Sequence, residues 1–318
     1  MTRESLQLKP PKIAFYTEAG SQRGMGHLIR CYSLYEEFKR YGISGSFFLD
    51  SDIDFSYKFS DLHPFIWDEF HIDDTYDIVI IDSYEASIDI YNTIAKAVRV
   101  PVFIDDYGRL QYPNGVIINF APDAQELFFR DKNPENKYLL GVDYIPLRRE
   151  ILTVHPTKQP QIFIMLGGND IFNVSQMILE ALQDIDLKKV IVVNNASTAE
   201  TLRTYPNVNV LYKPSDEELI FEMARSSLAI STASMTVYEL AYLTIPTIIV
   251  ALSENQKIGS MQLLNHHLAS YLINVTDTNW IIDLHKYVIS LDSVNIHSTI
   301  DGRGRERIVE FIIGIIKK

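Results

Sequence analysis

The residues best placed to do chemistry lie in short loops that follow β-branched runs. The first loop, Thr17-Glu18-Ala19-Gly20-Ser21-Gln22-Arg23-Gly24-Met25-Gly26-His27-Leu28-Ile29-Arg30, leads straight into a helix-period segment. Gly24 and Gly26 let a ligand approach the backbone, and the helix N-terminus behind them favours negative charge. His27 falls in the first helical turn, with Arg30 three residues on and on the same side. Histidine is the side chain suited to removing a proton near neutral pH, and Arg23 and Arg30 could attract a diphosphate. The plainer alternative is that His27 caps the helix and the glycines serve the turn.

Two further strand ends carry carboxylates beside an aromatic ring: Ile80-Ile81-Asp82-Ser83-Tyr84 and Phe103-Ile104-Asp105-Asp106-Tyr107-Gly108. Asp82, Tyr84 and Asp106 are candidates to line a sugar, since carboxylates accept from hydroxyls or amides and tyrosine adds a flat face with a polar tip. Capping of the next turn by Asp is the competing explanation.

In the second half, Met165-Leu166-Gly167-Gly168-Asn169-Asp170 ends a strand, and Gly168 and Asn169 are candidate ligand contacts. Ile230-Ser231-Thr232-Ala233-Ser234-Met235-Thr236 ends another strand and opens a helix. Its small residues, among them Ser231, Ser234 and Met235, surround free amides that could hold a pyrophosphate. Glu239, one turn into that helix, could bridge a ribose diol or sit as a solvated helix glutamate. Asn255 and Gln256 follow a further strand and are expected to face the same cleft.

These loops need elements to hold them. Apolar runs at Ile13–Thr17, Ser46–Leu49, Ile78–Asp82 and Val102–Asp105 alternate with helix-period segments at Gly26–Tyr41 and Ile88–Val98, which predicts a parallel sheet. His155-Pro156 and Gln159-Pro160 interrupt regular structure, and a fresh strand follows at Ile162–Leu166. The expected organisation is therefore residues 1–155 and 156–318, the first with the catalytic base and sugar, the second with the nucleotide. Strands at Val190–Val193, Val208–Leu211, Leu228–Ser231 and Thr247–Val250 alternate with helices at Val174–Leu182, Asp216–Arg225, Ser234–Leu243 and Ile258–Leu268. The fold class is α/β, two Rossmann-like domains with a central cleft, and ligands of such sheets bind beyond the carboxyl ends of the strands. A last helix, about Gly304–Ile316, is expected to pack on the body through Ile308, Phe311, Ile312 and Ile315.

Composition narrows the partners. The chain has 318 residues, 47% hydrophobic and 22% charged, with a net charge of −12. That balance disfavours a nucleic-acid partner, which draws affinity from Lys and Arg. No apolar run approaches the ~20 residues of a membrane span, and Met1–Lys12 lacks the apolar middle of a secretory signal. Cys31, the single cysteine, falls on the apolar stripe of its helix and reads as a buried small residue in a reducing, cytoplasmic setting. No His or Cys cluster has metal-ligand spacing, so no metal and no cofactor is expected.

Taken together, Gly24-Met25-Gly26-His27-Leu28-Ile29-Arg30-Cys31, Ile104-Asp105-Asp106-Tyr107, Leu139-Leu140-Gly141-Val142-Asp143-Tyr144 with Leu147-Arg148-Arg149-Glu150, Gly167-Gly168-Asn169-Asp170, Ser231-Thr232-Ala233-Ser234 with Glu239, Glu254-Asn255-Gln256 and Ile300-Asp301-Gly302-Arg303-Gly304 resemble the UDP-2,4-diacetamido-2,4,6-trideoxy-β-L-altropyranose hydrolases of pseudaminic acid synthesis and their relatives. The resemblance implies the GT-B fold of the peptidoglycan N-acetylglucosaminyltransferase, with a small-molecule nucleotide sugar held nucleotide-side by the second domain. It implies that His27 activates a water that attacks the anomeric carbon, inverting it and expelling UDP without a metal. The chain departs from the family at Ser83, where Asp-His-Tyr is common, and at Tyr16-Thr17-Glu18, both on the sugar side. A glycosyltransferase of the same fold and a non-catalytic nucleotide-sugar-binding protein are the alternatives. Nothing in the sequence sets the oligomeric state.

Overall fold

A computed structural model describes residues 10–56, 58–59, 61–73, 75–128, 133–155, 157–167, 173–290 and 298–317. Residues 1–9 and the sequence Gly168 to Phe172, with the candidates Gly168 and Asn169, lie outside the described residues.

The first half runs β1 (Ile13–Ala19), α1 (Gly26–Arg40), β2 (Gly45–Ser51), β3 (Leu62–Pro64), β4 (Ile78–Asp82), α2 (Ile88–Ala97), β5 (Val100–Ile104), β6 (Val116–Asn119), α3 (Ala124–Leu127), β7 (Lys137–Leu140) and α4 (Arg149–Thr153). Its strands form one parallel sheet in the order β3-β2-β1-β4-β5-β6-β7. The central strands β1, β4 and β5 are buried along their whole length, as expected of continuous apolar runs covered on both faces. The chain winds outward from β1 and returns on its other side at β4. The loops after these two neighbours therefore flank the switch point where ligands of open sheets bind.

The second half runs β8 (Gln159–Met165), α5 (Val174–Ala181), β9 (Lys188–Val193), α6 (Ala196–Leu202), β10 (Val208–Tyr212), α7 (Asp216–Arg225), β11 (Ser226–Ser231), α8 (Met235–Tyr242), β12 (Thr247–Ala251), α9 (Glu254–Asn265), β13 (Tyr271–Asn274), α10 (Trp280–Ser290) and α11 (Gly304–Ile316). Its sheet, β10-β9-β8-β11-β12-β13, is again parallel and reverses between β8 and β11. Two parallel sheets are thus observed, as the alternation predicts.

Period-2 alternation decides which core each strand residue joins. Ala14 and Tyr16 of β1 pack with Val79, Ile81 and Tyr91, whereas Ile13 and Phe15 pack with Leu28, Leu34 and Phe38 of α1. Likewise Ile162 and Ile164 of β8 join Ile178 and Leu284, and Phe163 joins Met223 and Leu240. The α1-side core of the first half and the α7/α8-side core of the second are one continuous apolar cluster, so the two sheets share a middle layer. Each side chain fully buried there contributes about 1.5–3 kcal/mol.

Helix α11 belongs to the second half in sequence but packs on the first. It lies against α1 and β5, burying Ile308, Val309 and Ile312. Arg305 reaches Glu37 at 3.8 Å, Arg307 donates to the Asp143 carbonyl at 2.9 Å, and Tyr41 donates to Glu310 at 3.1 Å. The expected stripe needs a correction: Phe311 is 37% exposed, because the helix turns Val309 rather than Phe311 toward α1. Gly304 is a packing requirement, since a Cβ there would stand 2.2 Å from the Ile145 carbonyl oxygen. Gly302 has φ +77 and abuts Leu152 and Tyr242. The Ile300–Gly304 stretch is thereby explained as the landing of α11, and the single boundary expected after residue 155 omits this crossing. Among the described residues no helix is long and apolar enough to cross a membrane.

Candidate active site

The loops after β1, β4 and β5 bring His27, Arg30, Asp82, Tyr84 and Asp106 into one cluster. Gly20 and Gly24 close the first loop with reciprocal backbone bonds of 3.0 and 2.9 Å, and Gly24 takes φ +72, a conformation glycine adopts without strain. The loop delivers His27 in the first turn of α1, whose N-cap, Met25, provides no side-chain cap. Gly26 has nothing within 4 Å of its Cβ direction, leaving the helix start open.

His27 is buried, with Nδ1 2.7 Å from Asp82 Oδ1. Burial alone would raise the Asp82 carboxyl, but the Arg30 guanidinium and His27 beside it hold it well below the usual carboxylate range. An ionised carboxylate only accepts, so Nδ1 carries the proton and donates it. The neutral ring then presents its lone pair at Nε2, as in a histidine base oriented by an aspartate. The edge of the ring meets Tyr84 with centroids 4.4 Å apart.

Arg30 binds both carboxylates. Nε and Nη2 each donate to Asp82 at 2.6 Å, and Nη1 and Nη2 donate to Asp106 at 2.7 and 3.0 Å. The guanidinium also lies 5.2 Å over the Phe120 ring. This corrects the expectation that Arg30 attracts a diphosphate: it is buried and committed to Asp82 and Asp106. Asp82, expected to line a sugar, is instead the buried partner of His27. Asp106 is partly exposed at its edge and also accepts from the Tyr84 hydroxyl. Arg23 is held between Asp50 and Glu85, each at 2.8 Å. Cys31 is buried, and burial and Asp82 push its thiol up, leaving it unreactive as the sequence suggests.

The two departures at positions 18 and 83 are bonded to each other. The Glu18 carboxylate, fully buried, accepts from the Ser83 hydroxyl, from Tyr84 N at 2.8 Å and from Trp67 Nε1 at 2.8 Å. Ser83 Oγ in turn accepts from the amides of Glu85 and Ala86. Asp105 is structural: it receives Gly108 N, Arg109 N and the Tyr112 hydroxyl.

In the second half, Ser234 is the N-cap of α8 and makes no side-chain bond to the helix. The amides of Met235 and Thr236 therefore stand at an uncapped N-terminus, a ready anion site. Tyr238, one turn on, packs on the apolar cluster that contains Leu28 and Leu34 of α1, and burial, with Asp106 adding to it, pushes its hydroxyl up. Ser231 is corrected: it is fully buried, its hydroxyl donating to the Met165 carbonyl at 2.9 Å. Gln256 lies inside α9, which starts a turn earlier than expected, and its side chain accepts from Leu252 N at 3.0 Å. The side chain of Asn255 is outside the described residues.

Glu239 is also corrected. It is buried, with Oε1 2.6 Å from Arg148 Nε and Oε2 2.8 Å from Arg148 Nη2, so both oxygens are bonded to a side chain of the first half. Arg148 Nη1 also bonds Asp216 at 2.8 Å, and Lys58 joins Asp216 at 2.6 Å. This chain of charges ties the segment before α4 and the loop after β2 to α7 and α8. Sequence reading missed it, because partners 91 residues apart leave no periodic signal. We expect Glu239→Ala to lower stability in urea by about 3 kcal/mol, since it strips a buried guanidinium of its main partner. Arg148→Met with Glu239→Leu should recover most of that loss. Unchanged stability of the single variant would deny the pair a structural role. Among the described residues no three His, Cys, Asp or Glu side chains gather as a metal site.

No family model matches the chain. It is 25% identical over 96% of its length to an uncharacterised protein of Methanocaldococcus jannaschii. It is 26% identical over 75% of its length to the Helicobacter pylori protein named pseudaminic acid cytidylyltransferase and UDP-2,4-diacetamido-2,4,6-trideoxy-β-L-altropyranose hydrolase. The chain spans 66% and 44% of those relatives. Among solved structures, UDP-GlcNAc 2-epimerase from M. jannaschii in complex with UDP-GlcNAc and UDP aligns with TM-score 0.65 at 11% identity, covering 95% of this chain and 99% of that one. Acinetobacter baumannii MurG aligns at 0.64 and 13%, covering 96% and 100%. The kitacinnamycin glycosyltransferase aligns at 0.62 and 14%, covering 97% and 95%. Two parallel sheets of this order, shared over nearly the whole chain, define the GT-B fold.

Proposed function

We propose that this chain hydrolyses a UDP-linked acetamido-deoxy sugar to free sugar and UDP, inverting the anomeric carbon. The observation that carries this reading is the Asp82–His27 pair: a buried carboxylate holds Nδ1 and leaves Nε2 to take a proton, at the switch point of the first sheet. Water placed between Nε2 and the anomeric carbon gives its proton to Nε2 as its oxygen bonds to carbon. The C1–O bond breaks, and its electron pair leaves with UDP. Asp82 stabilises the imidazolium that forms. The leaving diphosphate is received by the α8 N-terminus with Ser234, where amides and helix dipole favour its charge. The H. pylori relative's name, which includes a hydrolase for a UDP-diacetamido-trideoxy sugar, supports the choice of water and of sugar class.

The test is incubation of the purified chain with that UDP-diacetamido sugar and with UDP-N-acetylglucosamine in ¹⁸O-water, with no acceptor. Release of UDP with label in the sugar is the expected result. Label in UDP would mean attack at phosphorus and would overturn the role of His27. Turnover that requires an added sugar acceptor would make the chain a glycosyltransferase, with His27 deprotonating the acceptor hydroxyl instead.

A further inference from the structure

The wall beside His27 is largely aromatic. Tyr84 is 44% exposed and Tyr107 54% exposed, unusual for large aromatic side chains, and their rings lie 5.4 Å apart at 41°. Leu127, 43% exposed, packs against Gly108, the residue after Tyr107, where a Cβ would stand 3.3 Å from Leu127 Cγ. The charged groups behind the wall already have partners, and only Asp106 keeps a partly exposed edge. Glu18 binds Ser83, Tyr84 N and Trp67, Asp82 binds His27 and Arg30, and Asp106 binds Arg30 and Tyr84. The wall also stands in the cleft: Asp123, at the start of α3, is paired with His266 at the end of α9.

We propose that Tyr107 and Leu127, with the ring of Tyr84, are specificity-determining residues that read a hydroxyl-free face of the glycosyl group at a 6-deoxy carbon. A hydroxyl pressed on this surface loses its water and gains no partner, whereas a methyl group loses nothing. This deepens the proposed function and rests on its placing the sugar beside His27. Tyr107 and Leu127 act by contact with the sugar and take no part in moving the proton.

The test compares UDP-N-acetylglucosamine with its 6-deoxy counterpart, each titrated calorimetrically against wild type, Tyr107→Ala, Leu127→Ala and Tyr107→Phe, with UDP alone as reference. Wild type should prefer the 6-deoxy ligand by about ten-fold or more, the discrimination one apolar group provides. Both alanine variants should bring the ratio close to one with UDP affinity unchanged, and Tyr107→Phe should keep it, since the ring face and not the hydroxyl is used. Equal affinities in wild type, or a preference that survives in both alanine variants, would overturn the proposal. A preference without hydrolysis removes the reaction and leaves the wall standing. Hydrolysis without a preference removes the wall and leaves the reaction. Failure of wild type to bind either sugar nucleotide removes both.

Discussion

His27→Ala should lower kcat by about 10² to 10⁴, the usual worth of a positioned general base, while KM moves little. The asymmetry follows from where His27 acts. Its Nε2 takes a proton only as water attacks, so its loss is felt in the transition state and hardly in the bound ground state. The fold should survive, because the carboxylate left behind, Asp82, keeps both oxygens on Arg30. Steady-state kinetics on the UDP sugar, with melting temperature as control, decide the point. A variant with wild-type kcat would remove His27 from the chemistry.

Asp82→Asn should be about as damaging to turnover, and for two separable reasons. An asparagine can offer an N–H to Nδ1 and so stabilise the tautomer with its proton on Nε2, the wrong nitrogen for a base. In serine-protease triads the equivalent change costs about 10⁴ in kcat. The same change removes a charge partner from buried Arg30, where breaking a buried pair costs about 3–5 kcal/mol. The lower end is expected because Asp106 remains. The stability gap should depend on pH. The Asp82 carboxyl is depressed in the folded chain, so its contribution is complete above the unfolded value of about 3.9 and is lost as pH falls toward the folded value. Urea titrations should therefore find wild type and variant far apart at pH 7 and converging in acid. A gap that stays constant down to pH 3 would mean that Asp82 is not held as an ion against Arg30.

Much of this site was legible because the GT-B plan puts its chemistry at strand ends. The run Ile78–Asp82 is a strand over its predicted bounds, and Asp216–Arg225 a helix over its own, since β-branched runs and a capping Ser215 mark them sharply. The strands that escaped are short, although the 11-residue helix α10 escaped as well. Strands β3, β6, β7 and β13 have three or four residues, too few to display a period, and their pairing is imposed by neighbours already in the sheet. Charge partners escaped for another reason. Arg30, Asp82 and Asp106 were all visible as candidates, but only the adjacency of β4 and β5 shows that they neutralise one another. The same holds for Glu18 and Ser83. Each looks like a separate departure from the resembling family, and the structure bonds the two together, the Ser83 hydroxyl donating to the Glu18 carboxylate, which also accepts from the Tyr84 amide. Glu239 shows the opposite failure: a motif position expected to meet ribose is occupied by an arginine from the other half.

The crossing of α11 constrains how the halves can move. The chain passes between them first near Ile145–Leu152 and again at Gly302–Gly304, and the two passages touch, Gly304 against Ile145 and Gly302 against Leu152. Two strands of backbone side by side resist twist and sliding far more than bending about the line that joins them. Bending about that line is therefore the relative motion of the halves that the backbone opposes least. Such bending would have to part the Asp123–His266 and Lys58–Asp216 ion pairs, which join the two halves.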